Sequence, residues 1–103
     1  MKRIVVTLEL VNGLPDQEVG AAQQAFLAKL YDEGTLMFAG PFTDERGGGG
    51  IAILRCDSLQ KARALYQESP VVRSGHAISD VREWNVMWGV DKAVSDLHKP
   101  LST

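Results

Sequence analysis

Between Gly34 and Leu54 the chain reads Gly-Thr-Leu-Met-Phe-Ala-Gly-Pro-Phe-Thr-Asp-Glu-Arg, then four successive glycines, then Ile-Ala-Ile-Leu. Few folds can accommodate that order. A helical pattern stops at Gly34, an apolar strand runs through Ala39, Gly40-Pro41 breaks it, and a second apolar strand begins at Ile51. The two strands are expected to be antiparallel neighbours joined by a polar connection too long for a two-residue turn. Gly47 to Gly50 lower the stiffness of that connection and let backbone approach whatever lies beside it. It reads either as a lid over a small-molecule site or as a slack link.

Upstream, Arg3 to Leu10 alternates, with Ile4, Val6, Leu8 and Leu10 on one face, which is the period of a half-buried strand. Asn12-Gly13-Leu14-Pro15 turns the chain, and Asp16 and Glu18 place acids at the positive end of a helix. Val19, Ala22, Phe26, Leu27 and Leu30 then recur at helical spacing, so one face covers a sheet. Gln23 lies on that face. Its amide must find partners among backbone, water or a ligand, because leaving it unpaired costs about 1–3 kcal/mol. Gly34 supplies a left-handed helix end.

Downstream of Leu54, Asp57-Ser58 caps a second helix with Leu59, Ala62, Leu65 and Tyr66 as its buried stripe. Pro70 ends it, since proline disfavours helical geometry at Ser69. A brief segment leads to a last strand from about Ile78 to Trp88. There Arg82, Trp84, Val86 and Trp88 share one face, and two tryptophans on it imply a large buried surface.

The order β-α-β-β-α-β predicts an α+β, ferredoxin-like domain: a four-stranded antiparallel sheet with two helices on one face. The other sheet face has no cover within one chain, so pairing with a second copy as a homodimeric α+β barrel is expected. Residues 1–90 form this domain, and 91–103 are expected to be a polar tail.

With 103 residues, one domain suffices to bury roughly two-thirds of the unfolded surface. Thirteen acids against eleven Lys and Arg give a net charge of -2, which speaks against nucleic acid as a partner. No apolar run approaches a membrane span and the start lacks a signal peptide, so no membrane and a cytoplasmic location are expected. The single cysteine, Cys56, excludes an internal disulfide and is expected to pack in the core rather than react. No Cys/His cluster has zinc spacing, and neither metal nor other cofactor is expected. The glycine run is no phosphate loop, because it lacks a Gly-Lys-Ser/Thr ending and enters a strand.

Four segments, Leu30 to Phe42, the glycines into Ile51-Ala-Ile-Leu54, Asp57 to Leu65 and Ser69-Pro-Val-Val-Arg-Ser-Gly75, resemble the YCII-related domain family in order and spacing over about residues 2 to 88. The resemblance implies a dimeric α+β barrel. It also implies kinship with enzymes that act on small cyclic or aromatic compounds by dehydrochlorination or muconolactone-type isomerisation. Many members carry a histidine on the first helix, at the position of Gln23 here. They also carry an aspartate before the proline that follows the second helix, where this chain has Ser69. Neither replacement titrates near neutral pH, so the family's His-Asp proton transfer is not available at these positions. Gln23 and Ser69 remain as a neutral hydrogen-bonding pair able to orient a ligand.

Among the remaining groups, His76 and Asp44 are the candidate catalytic residues, with Glu45 beside Asp44 as a solvated charge. Phe42 and Arg46 join Gln23 and Ser69 as candidate ligand contacts, Arg46 for an anion. His98 is a bystander in the tail. Three functions stay open: a small-molecule binder or accessory protein, a cofactor-independent isomerase or lyase, and a dimerisation module with a vestigial pocket.

Overall fold

The computed structural model describes residues 1–44, 46 and 48–89. Its elements are β1 (Lys2–Leu10), α1 (Gln17–Asp32), β2 (Leu36–Pro41), β3 (Gly50–Cys56), α2 (Leu59–Gln67), α3 (Pro70–Arg73) and β4 (Ala77–Trp84). The strands form one antiparallel sheet in the order β2-β3-β1-β4. The ferredoxin-like α+β arrangement is thus present, with a one-turn α3 in the brief segment after Pro70. The expected tail and the end of its domain boundary, residues 90–103, lie outside the described residues, as does Glu45.

Local chemistry sets the element ends. Asp16 caps α1 by accepting from the Val19 N–H at 2.9 Å, and Ser58 caps α2 by accepting from Lys61 N–H at 3.1 Å. Gly34 ends α1 at φ +79°, with its own N–H and that of Thr35 returning to Tyr31 and Leu30 carbonyls.

The alternation of β1 sorts the sheet into two faces. Ile4, Val6, Leu54 and Val81 point at the helices and join Leu30, Leu36 and Tyr66 in the core. Helix α1 buries only Gln23 and Leu30, with Phe26 and Leu27 half-buried; Ala22, expected on the core face, is exposed. A methyl group at the edge of the stripe has too little reach to meet the sheet. Cys56 is buried in the core, where desolvation raises its pKa, with Lys61 opposing and Asp57 adding to the shift. Such a thiol stays protonated and packs as a small apolar group.

Three further expectations need correction. Gly40-Pro41 does not break β2, which continues to Pro41 opposite Gly50. Strand β2 is an edge strand, so Pro41 has no ladder partner to forfeit on its outer side. The last two glycines of the run are not slack: Gly50 is buried inside β3, and a Cβ there would sit 2.7 Å from the Gly40 carbonyl oxygen. A Cβ on Gly49, at φ +75°, would overlap the Leu8 carbonyl oxygen. Finally, β4 stops at Trp84. Trp88 lies beyond the strand, and both tryptophans are exposed in the single chain, at 46% and 70%.

Candidate functional site

Side-chain size along the helix-facing positions decides where the molecule is hollow. At one end of the sheet these positions carry Ile4, Val6, Leu36, Leu54 and Val81, which fill the space under the helices. From the level of Val6 onward the strands flanking β1 and the edge strand carry Ala39, Gly50, Ala52 and Ala77, which leave space beside Leu8 and Leu10 of β1. The gap is a cavity of about 430 Å³ floored by these small residues, with Gln23 and Leu27 of α1, Tyr66 of α2 and Val71 of α3 in its walls. Phe42 and Gly48 stand at its rim. Small residues on the inward parity are a signal the sequence contained and that helix and strand periodicity alone passes over.

Gln23 is the polar centre of the wall. The Ser69 hydroxyl donates to Gln23 Oε1 at 2.8 Å, and the Val71 N–H donates to the same atom at 3.3 Å. Ser69 is fully enclosed and Gln23 is 7% exposed, so this bond is shielded from water. Because a backbone N–H can only donate, the atom facing Val71 must be the amide oxygen. The orientation of the amide is thereby fixed, with Nε2 on the other side. Ser69 itself does not line the cavity; it acts through Gln23.

Tyr66 is 1% exposed, and its ring meets Phe26 edge to face at 5.5 Å and 88°. Burial pushes its phenol up to about 12, so it presents a neutral hydroxyl. Gln23 and Ser69 have no proton to exchange near neutral pH, and a protonated Tyr66 is a weak acid there. What these groups can do is orient a ligand by hydrogen bonds.

The other sequence-selected residues are placed differently. Asp44 and Arg46 form an exposed ion pair at 3.3 Å and line a second hollow of about 480 Å³, with Thr7 and Glu9 from the opposite sheet face. Phe42, Gly48, Leu8 and Leu10 line both hollows. His76 lines neither; its Nδ1 lies 2.8 Å from the Ser74 hydroxyl, and its backbone ties the start of β4 to Val11 and Val71. Among the described residues no group of three His, Cys, Asp or Glu side chains converges as a metal site would require. No described helix is long and apolar enough to cross a membrane.

Comparison with known proteins places this geometry. The chain is 34% identical over 71 residues to the uncharacterized protein YjpA of Bacillus subtilis, an alignment spanning 69% of this chain and 81% of YjpA. Its backbone is similar to that of 5-chloro-2-hydroxyhydroquinone dehydrochlorinase (TftG) from Burkholderia phenoliruptrix, solved with 2,5-dihydroxybenzoquinone. That match has a TM-score of 0.62 at 18% identity and covers 81% of this chain and 93% of TftG. At that identity the likeness concerns the fold. The model of the YCII-related domain matches residues 6–85, from the middle of β1 to just past the end of β4. A match of that extent, carried by every strand and helix that bounds the cavity, makes this chain a member of the YCII-related domain family.

Proposed function

We propose that this protein is a homodimeric binder of a small cyclic or aromatic compound, a binding or accessory protein in small-metabolite metabolism, lacking its family's His-Asp acid-base pair. The observation that carries the reading is the buried Gln23–Ser69 hydrogen bond at the wall of a mainly apolar cavity. A cavity of about 430 Å³ is of the size that small-molecule sites have. Neither Phe26 nor Trp84 fills it, which favours binding over a vestigial pocket. The TftG fold neighbour was solved with a cyclic quinone, a ligand of the same general size and shape class.

The homodimer is supported by the sheet face that no helix covers. There Phe38, Ile51, Ile78 and Trp84 are 68%, 40%, 58% and 46% exposed beside Val5 and Ile53. Apolar surface of this extent on one sheet face is costly in water and is relieved by a like face.

A second reading, as a cofactor-independent isomerase or lyase, draws on Asp44 and Arg46. They line the hollow that shares Phe42 and Gly48 with the cavity, so a ligand spanning both would meet a carboxylate. Melting the protein with a panel of small lactones, phenols and acids tests binding, since a ligand at 100 times its dissociation constant adds about 2.7 kcal/mol. A panel without any shift counts against the binder. Turnover abolished by Asp44→Ala or His76→Ala would favour the enzyme.

A further inference from the structure

Two polar groups in the cavity wall are left without a partner among the described residues. Gln23 Oε1 is spent on Ser69 and Val71, but Nε2 bonds no described residue. The Tyr66 hydroxyl likewise bonds no described residue. Both side chains are more than nine-tenths buried, both line the same cavity, and neither polar atom is sealed off from accessible space. Polar hydrogens held at an apolar surface without an acceptor cost stability unless something in the cavity accepts them.

We infer that the Gln23 amide is a carbonyl-reading group, and that the cavity takes an uncharged, mainly apolar ring compound whose carbonyl oxygen accepts from Nε2. This rests on the binding reading above and narrows its ligand. The fixed amide orientation selects an acceptor, because Nε2 can only donate. Charge is selected against. Among the described residues no Lys, Arg, Asp, Glu or His side chain lines the cavity, so a carboxylate entering it would lose hydration without meeting a counter-charge. The neutral Tyr66 hydroxyl is a second polar point in the same wall, as an oxygen-bearing ligand requires and a pure hydrocarbon does not.

Three probes of nearly one shape separate the possibilities: acetophenone, its hydrocarbon isostere α-methylstyrene, and benzoate, titrated into the full-length protein by NMR. Acetophenone is expected to bind at least about fivefold tighter than α-methylstyrene, as one added hydrogen bond allows. Benzoate is expected to bind more weakly than acetophenone. The Gln23 side-chain NH2 resonances should move with acetophenone and stay in place with α-methylstyrene. In Gln23→Met the ratio should fall to about one. If that variant does not fold, the wild-type ratio and the NH2 shifts decide by themselves.

Equal affinity for acetophenone and α-methylstyrene would overturn the carbonyl assignment while leaving a small-molecule cavity intact. Benzoate as the tightest probe would overturn the selection against charge. If all three are silent, this inference falls alone when the melting panel yields only phenols or acids as ligands, and the binding reading falls with it when the panel yields none. A lactone that binds upholds it only if Gln23→Met weakens that binding, and overturns it otherwise.

Discussion

The Ser69 hydroxyl donates to Gln23 Oε1 at 2.8 Å, joining the residue before α3 to the middle of α1 across 46 positions of sequence. It is a buried bond between two neutral groups, and the Val71 N–H shares the acceptor. Removing either partner therefore has unequal consequences. Ser69→Ala leaves Oε1 satisfied by Val71 and should cost about 1 kcal/mol in urea unfolding. Gln23→Leu strands two buried donors and should cost about 2–3 kcal/mol. The double variant should lose less than the sum, and strict additivity would show that the bond couples nothing.

Gly49 and Gly20 make a matched pair. At Gly49 a Cβ has no room beside Leu8 and the backbone lies at φ +75°, so Gly49→Ala should destabilise by about 2 kcal/mol or more. Gly20 sits inside α1 with nothing within 4 Å of its would-be Cβ, and Gly20→Ala should stabilise by about 0.5–1 kcal/mol. Thermal melts of the two variants check both signs.

Tyr66 gives the fold an alkaline limit. Its folded pKa, raised to about 12 by burial, lies above the 10.0 of an exposed tyrosine. The fold therefore favours the protonated phenol; that contribution is complete below pH 10 and is lost as pH rises toward 12. Melting temperature should fall over that window in the wild type and fall less in Tyr66→Phe. Equal slopes in the two proteins would remove Tyr66 as the cause.

The open sheet face offers a test of assembly. Ile78 is 58% exposed in the single chain, so Ile78→Asp has little to break within it. If two sheets pair face to face, Ile78→Asp buries two unpartnered carboxylates at the interface. Sedimentation at micromolar concentration should then show dimers for the wild type and monomers for the variant, with helical content unchanged. A wild type that sediments as a monomer would refute the pairing.

Much of the architecture is written in local pattern. The period-two run from Arg3 to Leu10, the apolar stripe around Gln23 and the glycine at position 34 each act within a few residues, through alternation, helical spacing and left-handed backbone. Fold order and helix caps follow from them. Where the structure departs from local pattern, the deciding contact lies far away in sequence. Pro41 stays in a strand because β2 is at an edge, and Trp88 misses β4 because pairing with β1 ends at Trp84 opposite Arg3. Gly49 and Gly50 look slack in sequence but are demanded by the Leu8 and Gly40 carbonyls that crowd them.

The candidate site divides in the same way. Residue order alone puts an amide and a hydroxyl at positions 23 and 69, one on the inward face of a helix and one ahead of a proline. Packing in three dimensions makes the two meet, lets Val71 fix which end of the amide faces inward, and leaves room beside it where small residues line the sheet. The reason is physical: residue type and period act along the chain, whereas a cavity is what remains after strands and helices distant in sequence have packed against one another.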